Sequence, residues 1–358
     1  VVGENAIKMM TVGGGSSSLK VQRELSPLDG IRQRVGNRAE VVYVRGYVGD
    51  ASGEYNGVIT GQDLKDDRTP EELIAEAKTE AADADYVIFI GGLNKSNNQD
   101  CEDTDREDLG LPYGQDAVIQ ALAEVNSNLI VVNISGNAVA MPWVKEVPAI
   151  VQDWYLGSEA GSSLAAVLMG DVNPSGRLPF TFPVKLEDNS AYALGEYTGE
   201  RSDSVIDIKY NEGIFVGYRW ADKQKKVKPL FAFGHGLSYT TFEYGKPVAD
   251  AETMSVDGEL TVKVTVKNTG NREGQEVVQL YIADKKSSLP RPLKELKGFK
   301  KIKLAPGETQ EVSFVIDKES LCFFDDVKHS WIAEPGKFEA IIAASAVDVK
   351  GTVAFELK

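Results

Sequence analysis

Residues 100–106 hold four carboxylates, Asp100, Glu102, Asp103 and Asp105, together with Arg106, inside a polar stretch that runs from Leu93 to Leu111-Pro112. A carboxyl crowded by like charges keeps its proton toward neutral pH, which is what a general acid requires. The same residue types also describe a hydrated surface loop, and composition by itself favours that plainer account. An oxygen-ligand calcium loop is a third reading, weakened because the glycine and terminal glutamate of such a loop are missing. Other chemistries have less to work with. Two histidines, His235 and His329, and two distant cysteines, Cys101 and Cys322, are too few for a histidine zinc site, a Ser-His-Asp triad or a disulfide framework. No metal and no cofactor is therefore expected. A second polar loop, Gly13 to Ser18, lacks the residue order of a P-loop or a dinucleotide site. Trp143 and Trp154 lie in apolar surroundings and are expected in the core, and His235, flanked by Gly234 and Gly236, in a turn.

These residues need a scaffold, and the pattern around them supplies one. Val41 to Arg45, Tyr86 to Gly91, Leu129 to Ile134 and Ala149 to Trp154 are short runs rich in Val, Ile and aromatics. They are continuously apolar, as strands of a parallel sheet covered on both faces should be. Helical spacing follows in between: from Pro70, with Thr69 as N-cap, from Gly114 to Val125, and from Ser158 to Met169. The expected fold over residues 1–183 is an α/β sandwich with a mostly parallel sheet. Ligands of such sheets bind beyond the carboxyl ends of the strands, which is where the 92–112 loop falls. Residues 184–244 lose periodicity and read as an ordered connector. Over 245–358 the pattern changes to period two, strictly so in Leu260 to Val266, with turns at Asn268-Thr269-Gly270, Pro306-Gly307 and Pro335-Gly336. This predicts an all-β sandwich of the immunoglobulin or fibronectin III type.

Bulk properties agree with a folded chain of two domains: 358 residues, 42% hydrophobic and 26% charged. A net charge of −15 repels a phosphate backbone, so nucleic acid is not an expected partner, whereas a neutral ligand such as a sugar is compatible. No apolar run is long enough to suggest a membrane span. The opening, Val1-Val2-Gly3-Glu4-Asn5, carries no signal-peptide pattern and reads as the end of a buried strand, which suggests a fragment of a longer protein.

The motifs then narrow the reading. Gly91-Gly92-Leu93, Glu102-x-x-Asp105-Arg106 and Leu111-Pro112-x-Gly114-Gln115 resemble the second domain of family 3 glycoside hydrolases. Gly13 to Ser18 with Ser26 to Gly30, Asn133 to Asn137, Gly170 to Pro179, Tyr210 to Ile214 with Gly217 to Arg219, and Phe233 to Tyr239 are similar to further segments of that family. The resemblance covers nearly the whole chain. It implies the C-terminal portion of a retaining, exo-acting β-glycosidase, most often a β-glucosidase and next a xylosidase, acting on terminal β-D-glycosyl residues. By its place before x-x-Asp-Arg, Glu102 is the implied general acid/base. Ser16 and Ser17 are implied at the rim toward the aglycone sugar, and Asp105 and Arg106 are expected to pair and brace the loop beside the substrate.

The nucleophilic Asp would lie on an N-terminal (β/α)8 barrel, the implied partner domain, which this sequence does not include; the chain alone is expected to bind sugar poorly and to hydrolyse nothing. The ligand class is a β-linked oligosaccharide or glycoside, and a periplasmic or secreted parent is implied. Two departures stand out. Asp103 follows Glu102 where the family commonly has glycine, with Thr104 next, and Asn97 and Asn98 occupy positions where some relatives carry histidine. The alternative is a non-catalytic carbohydrate-binding or scaffolding module.

Overall fold

The computed structural model describes all residues except 12–18, 20, 50–53, 56–57, 60–61, 97, 102–105, 198, 203–204 and 225–227. It forms two compact units, Val1–Val172 and Asn173–Lys358, the second of which contains the stretch 184–244.

In the first unit, α1 (Pro27–Val35) is followed by a small antiparallel pair, β1 (Glu54–Tyr55) and β2 (Val58–Ile59), and then by α2 (Pro70–Ala82). Next come β3 (Val87–Gly92), α3 (Gln115–Val125), β4 (Leu129–Ile134), β5 (Ala149–Gln152) and α4 (Ala160–Leu168). Strands β3, β4 and β5 pair in parallel in that order. Val2 extends the sheet, bridging in parallel to Phe89 on one side and Val44 on the other. The five parallel segments therefore lie in the order Val44, Val2, β3, β4, β5. The chain leaves Val2 toward one side of the sheet and β3 toward the other, which creates a topological switch point between them. Helix α1 packs on α4 and α2 on α3.

Local sequence explains these elements. Thr69 closes α2 with a capping box: its hydroxyl accepts from Glu72 N at 3.2 Å and its own N–H donates to Glu72 Oε2 at 2.8 Å, with Pro70 in the first turn. Ile90, Val132 and Ile134 meet Leu28, Ile31, Leu164 and Ala165 in one buried cluster. Each fully buried aliphatic side chain there contributes roughly 1.5–3 kcal/mol. The run Val41 to Arg45, predicted as a strand, contributes a single bridge at Val44. Gly46, at φ 71°, bends the chain away, and the Arg45 guanidinium turns onto the buried Glu4 carboxylate at 2.8 Å.

The second unit begins with α5 (Ser190–Ala193), an antiparallel pair β6 (Glu200–Ser202) and β7 (Val205–Asp207), and α6 (Tyr218–Lys223). Glu212 Oε2 is buried there, and no hydrogen bond reaches it from the described residues. The sandwich follows with β8 (Phe242–Tyr244), β9 (Val248–Ala249), β10 (Thr253–Met254), β11 (Leu260–Asn268), β12 (Gly274–Asp284), β13 (Glu295–Leu304) and β14 (Thr309–Ile316). It ends with α7 (Lys318–Leu321), β15 (Phe323–Asp325), β16 (Ser330–Ile332), β17 (Gly336–Ala343) and β18 (Val349–Leu357). One sheet has the order β10-β18-β17-β12-β13; the other has β14-β11-β8, with β9 also on β11. Along β11 burial alternates residue by residue, as its period-two pattern predicts. The inward set, including Val262, Val264, Val278, Leu280, Phe338 and Ile342, makes an apolar core.

Candidate active site

The carboxyl edge of the parallel sheet is closed by glycines. Gly3 ends the Val2 segment at φ 124°, and Gly92 ends β3 at φ 115°. A Cβ at Gly3 would stand 2.0 Å from Ile90 O, and one at Gly92 2.2 Å from Ile134 O, so no other residue fits without moving the backbone. Beyond Gly92 runs the acid-rich loop, and its described residues are tied down at several points.

Gln115, the first residue of α3 and fully buried, accepts from Gly92 N at 2.7 Å. It donates back to Gly92 O at 2.8 Å and to Pro112 O at 3.0 Å. One side chain thus clamps the return of the loop to its start. Inside the loop, Asn94 N donates to Gln99 Oε1 at 2.9 Å, Ser96 N to Asn94 Oδ1 at 2.7 Å, and Gln99 Nε2 to Tyr113 OH at 2.7 Å. Asn98 and Tyr113 hold left-handed backbone, φ 61° and 63°. Such strain costs on the order of 1 kcal/mol or more per residue and persists where the surroundings enforce it, often at functional sites.

Asp100 joins this loop to the two that follow β4 and β5. Its Oδ2 accepts from Gly136 N at 2.6 Å and from Tyr155 OH at 2.9 Å, and its Oδ1 from Asn137 Nδ2 at 2.7 Å. The β4 loop is held ready by Asn133, whose Nδ2 donates to Ser135 Oγ at 2.8 Å and Gln152 Oε1 at 2.7 Å. Hydrogen bonds to an ionised group are worth roughly 1.5–3 kcal/mol each, so Asp100 is a strong fastening. Lys95 lies 5.3 Å from the centroid of the Tyr155 ring; burial pulls its ammonium pKa down, and the Glu24 and Asp100 carboxylates oppose that.

Of the residues singled out from sequence, Glu102, Asp105, Ser16 and Ser17 lie outside the described residues, and so does the expected pairing of Asp105 with Arg106. Arg106 is described: its Nη1 donates to Ala138 O at 2.8 Å, a further tie between the acid-rich loop and the loop after β4. Trp143 is fully buried and donates from Nε1 to Asp116 Oδ1 at 2.7 Å, as a core tryptophan should. Trp154 departs from its expected core position: it is half-buried and lines a narrow cleft open to solvent. His235 stacks on Phe231 with ring centroids 5.3 Å apart. Among the described residues, no three His, Cys, Asp or Glu side chains gather as metal ligands would.

Sequence reasoning missed the clamp by Gln115, although Gln115 stands in the quoted motif. It also missed the anchoring role of Asp100 and the position of Asp153. Asp153 is buried beside the same sheet edge, and burial alone pushes its carboxyl up to about 7. An acid closing the apolar run Ala149 to Trp154 was the available signal.

Comparison with known proteins identifies the architecture. Residues 1–239 match the model of the glycosyl hydrolase family 3 C-terminal domain, and residues 276–346 that of a fibronectin type III-like domain. The chain is 52% identical over 358 residues to beta-glucosidase BoGH3A of Bacteroides ovatus, covering 99% of this chain and 46% of that protein. It is 40% identical over 337 residues to thermostable beta-glucosidase B of Acetivibrio thermocellus, covering 94% of this chain and 42% of that one. The crystal structure of a GH3 beta-glucosidase from Bifidobacterium adolescentis superposes with a TM-score of 0.85 at 30% identity, covering 99% of this chain and 48% of its own. A beta-glucosidase from Kluyveromyces marxianus in complex with glucose gives a TM-score of 0.85 at 25% identity, covering all of this chain and 58% of its own. The chain thus spans about half the length of the relatives it matches. With the family 3 C-terminal domain matched over residues 1–239 and a fibronectin type III-like domain following it, the chain belongs to glycosyl hydrolase family 3.

Proposed function

We propose that the chain is the acid/base-bearing part of a retaining, exo-acting β-glucosidase that removes terminal β-D-glucosyl residues from oligosaccharides or glycosides. The observation that carries this reading is the fastening of the acid-rich loop at the topological switch point: Gln115 clamps its two ends, and Asp100 and Arg106 tie it to the neighbouring loop. A general acid must be held within hydrogen-bond reach of the leaving oxygen, and a loop so fastened can supply that constancy. The names of the relatives, beta-glucosidases, point to the same substrate class.

In this reading Glu102 protonates the glycosidic oxygen as the sugar departs, then takes a proton from water when the glycosyl-enzyme is hydrolysed. Retention requires a nucleophilic carboxylate about 5–5.5 Å from it, an Asp on a (β/α)8 barrel in a longer polypeptide. Ser16 and Ser17 are proposed to meet the aglycone sugar, and Asp105 and Arg106 to brace the loop beside the substrate. A periplasmic or secreted place of action is proposed on the family resemblance alone.

The test is Glu102→Ala in the longer polypeptide, assayed on an aryl β-glucoside whose leaving group needs protonation. Turnover should fall by about 10²–10⁴-fold, and added azide should restore part of it. Unchanged turnover would assign the proton to another residue and sink the reading.

A further inference from the structure

The acid-rich loop is gripped on either side of Glu102 by one short segment. Before Glu102, the Asp100 carboxylate accepts from Gly136 N at 2.6 Å and from Asn137 Nδ2 at 2.7 Å. After it, Arg106 Nη1 donates to Ala138 O at 2.8 Å. Residues 101–105, Glu102 among them, are thus tied at both ends to three consecutive residues of the loop after β4. The Gln115 clamp is different in kind, because it joins the distant ends of the loop at Gly92 and Pro112 and does not reach its interior.

The segment being gripped is itself braced. Ser135 Oγ donates to Asn137 O at 2.7 Å, Gln152 Nε2 donates to Ser135 O at 3.0 Å, and Asn133 Nδ2 donates to both of those side chains. Asp100 has a third partner on the loop after β5, where the Tyr155 hydroxyl donates to its Oδ2 at 2.9 Å. Its own N–H donates to Asn94 O at 3.0 Å, at the foot of the acid-rich loop. All three partners of the carboxylate are donors, so its lone pairs are directed at the neighbouring loops and hold them together. Two residues of chain reach at most about 7 Å, so a displacement of Asp100 passes to Glu102 with little slack.

We propose that Asp100 is a positioning residue for the proton transfer: through its geometry, not its charge, it sets the Glu102 carboxyl against the leaving oxygen. This rests on the glycosidase reading above and adds to it the residue on which leaving-group protonation depends. The partners Gly136, Asn137 and Tyr155 act with it, as the fixed frame from which the distance is set.

The test measures kcat/KM, which reports cleavage of the glycosidic bond, in the longer polypeptide on two substrates. Phenyl β-glucoside needs its leaving group protonated, and dinitrophenyl β-glucoside does not. Asp100→Ala should lower kcat/KM by about 10–100-fold on the phenyl substrate and by less than about threefold on the dinitrophenyl one, the selective loss expected of a misplaced general acid. Asp100→Asn keeps an acceptor for Gly136 and Tyr155 and offers a donor that a turned Asn137 amide can accept, so it should recover the phenyl substrate to within about threefold of the parent. Tyr155→Phe removes one tie; it should show the same selective loss at smaller size, and it gives the readout if Asp100→Ala fails to fold. An equal loss on both substrates would make Asp100 a general support of the fold, and no loss on either would make it dispensable; both overturn the proposal. So does an Asp100→Asn variant as impaired as Asp100→Ala, which would assign the effect to charge. Glu102→Ala on the same two substrates separates the readings. If it spares the phenyl substrate, the glycosidase assignment fails and positioning with it; a selective loss there without one in Asp100→Ala removes the positioning role alone.

Discussion

In the first unit, Gln115, Asn133, Ser135 and Asp153 are buried at one edge of a parallel sheet; in the second, the buried Asn268 sits at a turn of the sandwich and is consumed there. Asn268 illustrates the second case. Its Oδ1 accepts from Thr240 Oγ1 at 2.7 Å and Gly270 N at 3.1 Å, and its Nδ2 donates to Arg272 O at 2.7 Å and Leu304 O at 3.0 Å. Every capacity of that amide is spent on holding a turn between strands. Asp153 in the first unit is also buried, and among the described residues no hydrogen bond reaches its carboxyl. A parallel sheet sends all its strand ends to the same side, so its loops meet there and can share a ligand; antiparallel strands divide their loops between two ends.

Four substitutions sharpen or break that contrast. If the sandwich depends on apolar packing, Phe338→Ala, which opens its core beside Phe355, should cost about 3–5 kcal/mol in urea unfolding followed by circular dichroism. A loss below about 1 kcal/mol would mean the core is not packed as described. At the sheet edge, Gln115→Leu keeps the volume but strips the partners from Gly92 N, Gly92 O and Pro112 O. It should cost about 2–3 kcal/mol and speed amide exchange in the 93–112 segment, and unaltered exchange would show that the clamp is dispensable.

Asp153 offers a test of sign. Its folded-state value, about 7, lies above the 3.8 of an ordinary aspartate, so its protonated form favours folding. That contribution is complete below about pH 4 and is lost as pH rises toward 7. Asp153→Asn removes the loss, so its melting temperature relative to the parent chain should climb between pH 4 and pH 7 and level off above. The climb has a slope of at most about 1.4 kcal/mol per pH unit, and the missing partners of the new amide lower the whole curve by a constant amount without changing that slope. A flat difference across that range would mean that the carboxyl is paired. The smallest effect belongs to the exposed cross-strand pair Lys263–Glu311 at 3.0 Å, where Lys263→Ala should change stability by less than about 1 kcal/mol.

How far these features were legible in the sequence depended on the distance over which each one is encoded. Helix α2 is written in adjacent letters, Thr69-Pro70-x-Glu72, and β11 in strict alternation, so both were readable. Strand β13 was not recognised, because its lysines at 297, 300, 301 and 303 obscure an inward set whose buried members are Ile302 and Leu304. Asp100 could not be singled out from its acidic neighbours, since its partners Gly136, Asn137 and Tyr155 lie 36, 37 and 55 residues away and only the fold brings them together. Glu102 is the reverse case: composition around it suggests a hydrated loop, and only the family motif implies a role for it.

The glycines at the carboxyl edge have a practical consequence for anyone redesigning this domain. Gly3 and Gly92 are the doorposts through which the loops after Val2 and β3 leave the sheet, and each stands against a carbonyl of the neighbouring strand. Loop libraries, insertions or grafts from relatives should therefore be cut beyond these two residues, after Asn5 on one side and after Leu93 on the other, where Asn5 Nδ2 donates to Leu93 O at 3.0 Å and seals the doorway. Segments exchanged outside that seal inherit a fixed point of departure. Changes at the posts themselves would move the strands and, with them, every loop on that edge at once.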